Sequence, residues 1–343
     1  MTDIQSTLDV LANQTDKRTS VFEIEIQALR NHILTLGGRL LYESQLEELQ
    51  RVFPNLKLDT GSIRILSRGS HLRLHVATNL TGLYEQPTFG MVLSSELYYG
   101  TELEVLDEKT NWVLTRQSDG YLGWAYRSYL VEGNAPTATH LVLAAAVEVR
   151  AEPNDLSEIV TRIVSGTGVS LQERRGDWSC ISANKSGWIP SKHLRAIEDL
   201  PKTVEEKRKI LVEDAQRIIG VPYLWGGTSG NGIDCSGFAR LLHRWLGVEI
   251  PRDADMQYNA AKHVEPPFEA GDLLFFAESD SKRKITHVGV SLGGWNMIHS
   301  SRKNNGVYID DLQQYKSLMD LYVSAGSFLR EEYSVSQHSY ESI

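Results

Sequence analysis

Apolar and polar positions alternate in different ways along the chain. From Val21 onward, Phe22, Ile24, Ile26, Leu29, Ile33 and Leu34 suit an amphipathic helix that stops at Gly37-Gly38. A second short helix is expected from about Ser44 to Phe53, ending before Pro54, so that the two form a helical hairpin against the next domain. Ahead of them, residues 1–20 are polar and carry neither period, which predicts a mobile tail. After them come short alternating segments such as Glu102 to Leu106 and Val169 to Glu173, bounded by Gly, Asn and Asp, as in the strands of small barrels. Residues 201–209 turn charged and read as a linker, behind which helical spacing resumes at Ile210, Val212, Ala215 and Ile218. It returns at Phe238, Leu241, Leu242, Trp245 and Leu246 and ends at Gly247. The polar segment from Glu331 on is expected to fray.

The strand region contains an internal repeat. Pro87, Gly100 and Trp112 recur as Pro153, Gly166 and Trp178, each displaced by 66 residues, and the Gly123-Trp124 and Gly187-Trp188 pairs follow. Two tandem β-barrels of about 60 residues are expected. With a glycine before one strand and a Gly-Trp pair near the end, this stretch resembles bacterial SH3-like domains. Cys180 lies two residues after Trp178 and is expected on the same strand face as a buried structural cysteine.

Candidate chemistry gathers further on. Cys235 stands in Gly232-Ile-Asp-Cys-Ser-Gly-Phe238, directly before the apolar helical pattern. A thiol at a helix N-terminus is favoured as thiolate by the dipole, and the unpaired amides there can receive an oxyanion. Asp234 and Ser236 are expected to cap that helix, with substrate contact as an added role. Two histidines lie in strand-like settings downstream, His287 at 52 residues from Cys235 and His299 at 12 more. Strands joined at Gly293-Gly294 make a hairpin that can place both imidazoles on one face, one pairing with the thiol and the other orienting it. His243 is expected on the solvated side of the Cys235 helix.

Residues 210–325 resemble the NlpC/p60 family of papain-like cysteine peptidases. The matching motifs are Pro222-Tyr-Leu-Trp-Gly-Gly227, Asp234-Cys-Ser-Gly-Phe238, Pro251-Arg-Asp253, Gly271-Asp-Leu-Leu-Phe-Phe276, Ile285-Thr-His-Val-Gly-Val290 and Met297-Ile-His-Ser300, in the family's order. The resemblance implies Cys235 as nucleophile, His287 as general base, His299 as orienting residue and Tyr223 with its hydroxyl toward the oxyanion. Two SH3-like repeats ahead of such a domain resemble the subgroup that cuts released murein peptides between γ-D-glutamate and the diamino acid. By that likeness Glu96, Tyr121 and Asp253 would bind the free amine of the leading L-alanine. The implied fold is α+β: a tail over 1–20, a helical segment over 21–70, barrels over 71–135 and 136–200, a papain-like NlpC/p60 domain over 201–330 and a tail over 331–343.

Composition narrows the field. Lys and Arg number 35 against 44 Asp and Glu, a formal charge of -9 that disfavours nucleic acid and anionic lipid as partners. The densest apolar run, Leu141 to Val149, is broken by Glu148, so no membrane span is expected. Two cysteines are too few for a disulfide scaffold and suit free thiols in a reducing compartment. Residues 1–20 lack an apolar h-region, which gives a cytoplasmic expectation. No cofactor and no metal are expected. Three other functions remain open: a zinc site made of Cys235, His287 and His299, which lacks a CxxC or HExxH spacing; a non-catalytic wall-binding module in which the barrels do the work and the last domain is inert; and acyl transfer in place of hydrolysis by the same residues.

Overall fold

The structure, a computed structural model, describes residues 2–69, 72–278 and 284–330. The expected fraying segment from Glu331 lies outside the described residues.

The N-terminal unit departs from expectation. Residues 1–20 hold a helix, α1 (Thr2–Gln14), because Ile4, Leu8, Leu11 and Ala12 recur at helical spacing and pack inward. The segment read as a helix from Val21 is instead the strand β1 (Phe22–Arg30), followed by β2 (Ile33–Leu40), α2 (Glu43–Val52) and β3 (Lys57–Ile65). Phe22, Ile24 and Ile26 alternate strictly with glutamates, a two-residue period that outweighs the looser helical fit of Leu29, Ile33 and Leu34. Asn31 and His32 make the reversal with positive φ, and β2 pairs with β1 antiparallel and with β3 in parallel across α2. Gly38 is no helix stop: at φ +121°, a Cβ there would lie 2.0 Å from the Glu23 carbonyl, so glycine lets β2 pass close to β1.

The repeat becomes two seven-stranded barrels of one topology. The first contains β4 (Arg73–Val76), β5 (Leu80–Tyr84), β6 (Leu93–Tyr98), β7 (Glu102–Lys109), β8 (Trp112–Arg116), β9 (Leu122–Tyr126) and β10 (Leu130–Glu132). The second contains β11 (His140–Val142), β12 (Ala146–Arg150), β13 (Ile159–Val164), β14 (Gly168–Arg175), β15 (Trp178–Ser182), β16 (Gly187–Pro190) and β17 (Leu194–Ala196). Strand order is β6-β5-β9-β8-β7-β4-β10 in one and β13-β12-β16-β15-β14-β11-β17 in the other, the same permutation. Gly100 and Gly166 hold matching positive φ of 78° and 80° in the turns before β7 and β14. Cys180 shares the half-exposed face of β15 with Trp178 and is less buried than expected, since the inward positions of that strand are Ser179 and Ile181.

The last unit is α+β. After α3 (Val204–Ala215) and the short strands β18 (Thr228–Ser229) and β19 (Gly232–Ile233) come α4 (Cys235–Arg244) and α5 (Ala254–Ala260). The charged stretch read as a linker includes the capped first turn of α3, with Thr203 accepting from the Glu206 amide. A sheet ordered β20-β25-β21-β22-β23-β24 follows, made of β20 (Lys262–Val264), β21 (Leu273–Ala277), β22 (Ile285–Gly293), β23 (Asn296–Ser301), β24 (Gly306–Asp311) and, past α6 (Lys316–Met319), β25 (Tyr322–Ser327). Phe238, Leu241, Leu242 and Trp245 from α4 meet Phe275, Val288, Val290 and Ile298 from the sheet in one core. His243 is fully buried, not solvated, because α3 and Phe328 cover the side of α4 that faces away from the sheet; its Nδ1–H donates to the Ala239 carbonyl at 2.8 Å.

Both barrels are fastened to this unit near α4. Trp245 donates its indole N–H to the Val142 carbonyl at 3.0 Å, and Arg244 donates to Gly166 at 2.9 Å, fixing the second barrel. On the first barrel Tyr98 donates its hydroxyl to the Thr228 carbonyl, and Glu96 accepts the Thr228 amide at 2.8 Å. Among the described residues no helix is long and apolar enough to cross a membrane.

Candidate active site

Cys235 opens α4 as the sequence indicates. Asp234 is the N-cap, its Oδ1 accepting the Gly237 amide at 2.7 Å, worth about 1 kcal/mol to the helix. The same carboxylate accepts from the Gly226 amide, the Ser236 hydroxyl and both Nη atoms of Arg252. Arg252 is itself only 1% exposed and also donates to Ser236 and to Ser95 of the first barrel. Five donors fill the lone pairs of Asp234, and Ser236 is engaged as donor and acceptor. Asp234 and Ser236 therefore hold Cys235 in place, with Asp234 saturated and one lone pair of the Ser236 hydroxyl unused.

The histidines meet as the hairpin predicts. β22 and β23 turn at Gly293 and Gly294, both with positive φ, and His287 Nε2 lies 2.7 Å from His299 Nδ1. The second nitrogen of His299 is taken by a residue that sequence reasoning missed: Nε2 lies 2.9 Å from Asp310 Oδ2. Asp310 opposes Met297 across β23 and β24 while His299 opposes Tyr308, so the two are diagonal neighbours on one sheet face. That register is the only signal for Asp310, and it depends on the length of the 302–305 turn.

This chain of contacts fixes the tautomers. A carboxylate only accepts, so His299 carries its proton on Nε2 and presents a bare Nδ1. His287 must then donate from Nε2, which leaves its own Nδ1 unprotonated. Cys235 is 6% exposed. Burial, then the Asp234 charge, pushes the thiol up to about 12, while burial and the His299 ring push His287 down to about 3. Burial thus works against the thiolate that the helix N-terminus favours, and against a charged imidazole.

Tyr223 forms a bridge with Ile233, two residues before the nucleophile. Burial, with the Cys235 and Asp234 charges, pushes its phenol up to about 12, so it stays protonated and able to donate. Arg302 lies over the rings of Tyr223 and Trp225, at 5.6 and 4.7 Å from their centroids.

The three residues proposed for an amine site separate. Tyr121, buried in the first barrel, donates its hydroxyl to Asp253 Oδ2 at 3.0 Å, so this pair is brought together. Glu96 is not with them, because the Thr228 amide holds it against the Gly226–Ser229 loop. A further unforeseen residue joins the pair: Arg18 of the N-terminal unit donates to Asp253 at 2.9 Å. No group of three or more His, Cys, Asp and Glu suited to a metal occurs among the described residues, and His299 has both ring nitrogens engaged.

Parts of this chain are similar to known proteins. Residues 220–335 match the NlpC/P60 family, and residues 83–131 and 145–195 each match the bacterial SH3 domain. The chain is 28% identical over 237 residues to a gamma-D-glutamyl-L-lysine dipeptidyl-peptidase of Bacillus cereus, covering 63% of this chain and 70% of that protein. It is 27% identical over 260 residues to dipeptidyl-peptidase 6 of Lysinibacillus sphaericus, covering 71% and 93%. A crystal structure of an NlpC/P60 family protein from Bacillus cereus shares the fold, with a TM-score of 0.65 at 22% identity, over 75% of this chain and all of that one.

Proposed function

We propose that this chain, which carries an NlpC/P60 cysteine peptidase domain behind two bacterial SH3 domains, hydrolyses the bond between γ-D-glutamate and the diamino acid in short murein peptides with a free N-terminal L-alanine. The observation that carries the reading is the joining of two features in one site. Cys235 at the start of α4 and a hydrogen-bonded His287, His299 and Asp310 relay supply the groups for acyl transfer, and a Tyr121–Asp253 pair at the junction with the first barrel supplies a partner for an ammonium. The similarity to the gamma-D-glutamyl-L-lysine dipeptidyl-peptidase of Bacillus cereus supports the same substrate class.

In this mechanism His287 Nδ1 takes the Cys235 proton as sulfur attacks the γ-carbonyl carbon of D-glutamate. The developing oxyanion is met by the Tyr223 hydroxyl and the Cys235 backbone amide at the start of α4. Collapse of the tetrahedral adduct breaks the C–N bond, and the imidazolium passes its proton to the departing amine of the diamino acid. His299, anchored by Asp310, stabilises that imidazolium. Water then attacks the thioester with His287 again as base, releasing L-Ala-D-Glu and restoring the thiol. Asp253 binds the substrate's ammonium, so a muramic-acid substituent on the alanine nitrogen removes the charge and needs added space. Two free thiols suit a reducing compartment, in keeping with a cytoplasmic role on peptides already released from the wall.

Incubation of the enzyme with L-Ala-γ-D-Glu-diamino acid and, separately, with intact peptidoglycan tests the reading through dipeptide release. Cleavage of the free peptide alone is expected; comparable rates on the polymer would overturn the closed amine site.

A further inference from the structure

Arg18 lies in the N-terminal unit, which contributes nothing to the relay, yet it is built into the amine site. Its Nη1 donates to Asp253 Oδ2 at 2.9 Å and to Asp255 Oδ1 at 2.7 Å, and its Nη2 to Asp255 Oδ2 at 2.7 Å. Asp16 accepts from the Nε and Nη2 of the same guanidinium at 3.0 and 2.8 Å. The Arg18 carbonyl accepts the Leu122 amide at 2.7 Å, which locks this stretch of backbone beside Tyr121. Asp253 meanwhile occupies the N-cap of α5 without making a side-chain cap bond, because its carboxylate is turned to Tyr121 and Arg18 instead. Tyr121 and Arg18 share Oδ2, while Oδ1 pairs with Arg252 at 3.8 Å, beyond hydrogen-bond distance. Three carboxylates surround one guanidinium, so the cluster stays net negative and attracts an ammonium.

We propose that Arg18 is a specificity-determining residue that closes the amine site from the N-terminal side, holding Asp253 for a terminal ammonium and excluding peptides extended or acylated at that nitrogen. This rests on the reading of free-amine murein peptides as substrates. An N-acyl group would have to enter the space held by the guanidinium and its three carboxylates, and would set a neutral amide against Asp253. The N-terminal unit then has a function: it is the third wall of the site, beside the first barrel and the peptidase domain.

Steady-state kinetics on L-Ala-γ-D-Glu-meso-diaminopimelate and its N-acetyl derivative test the proposal with wild type, Arg18→Ala, Arg18→Lys and Asp255→Asn. Arg18→Ala should raise KM for the free peptide about tenfold with kcat within about twofold, and raise kcat/KM on the N-acetyl peptide about tenfold or more. Lysine keeps the charge without the fork and should fall between. Asp255→Asn loosens the guanidinium and should shift both substrates the same way, which keeps the test open should Arg18→Ala fail to fold. Unchanged discrimination between the two peptides in the folded variants would overturn the role of Arg18. So would a lower KM for the free peptide, which would make the arginine a competitor of the ammonium. Failure of wild type to cut the free peptide would instead overturn the substrate reading.

Discussion

Replacing Asp310 by alanine isolates the part of the relay that does not touch substrate. His299 is 3% exposed, and its Nε2–H donates to Asp310 Oδ2 over 2.9 Å, while Asp310 itself is 18% exposed. A hydrogen bond to a charged acceptor contributes about 1.5–3 kcal/mol net. If the transition state, in which His287 becomes an imidazolium, feels that whole amount, kcat falls by about 10- to 150-fold, at 1.36 kcal/mol per factor of ten. The solvent access of Asp310 and its one-residue remove from His287 place the expected loss near the lower half of that range. The mechanism of the loss is specific. Without the carboxylate, His299 is free to carry its proton on Nδ1, and His287 is then forced to hold its own on Nδ1, facing the thiol with no base. Asp310→Asn retains an acceptor oxygen and loses the charge, so it should recover part of the activity. The assay is dipeptide release from L-Ala-γ-D-Glu-diamino acid under saturating and subsaturating conditions, alongside thermal unfolding of each variant. The reasoning requires a fall in kcat at nearly constant KM, with asparagine above alanine. A kcat within about twofold of wild type in both variants, or a change confined to KM, would refute it.

Other expectations follow from the same geometry. Cys235→Ala should abolish turnover with little change in melting temperature, and His287→Ala should cost more than His299→Ala, because solvent can partly replace an orienting group but not the base; equal losses would contradict the assigned order. His287, held near 3, is a base in its neutral form, which is present above that pKa and lost as pH falls through it. The acid limb of kcat/KM should therefore lie well below pH 6.5, shaped by carboxylates near about pH 4, with an alkaline limb near about pH 8 from the substrate's amine. A pH profile with its acid limb at 6.5 would show that burial does not depress His287. Arg252→Ala leaves the Asp234 carboxylate buried without its cation and should destabilise the peptidase domain by about 3–5 kcal/mol, seen as a melting temperature lower by about 10 °C; an unchanged melting curve would contradict the role given to that pair.

The barrels were legible because a displacement of 66 residues repeats three separate positions, and folding turned those into the same turn and strand starts twice over. The place of Cys235 at a helix start and the meeting of His287 and His299 were legible because each sits in a local pattern, a helix start or a glycine-turned hairpin, that fixes its setting without distant contacts. The N-terminal unit was misread because Phe22 to Leu34 carries two periods at once, and only pairing across the Asn31-His32 turn decides for strands. Its helix α1 has a narrow apolar stripe of Ile4, Leu8 and Leu11 amid polar neighbours, which looks like a tail until the sheet that covers it exists. His243 was misplaced because a helix covered on both sides has no solvated face to read. Asp310 and Arg18 illustrate a deeper limit. The first depends on strand register, and the second meets Asp253 from 235 residues away, a contact that no local pattern announces.

Product analysis of the free tripeptide in heavy-oxygen water tests the central claim most directly. The account predicts L-Ala-D-Glu carrying one solvent oxygen in its γ-carboxylate, together with unlabelled diamino acid, from wild type and nothing from Cys235→Ala. Cleavage at the L-Ala–D-Glu bond, or turnover that survives in Cys235→Ala, would contradict it.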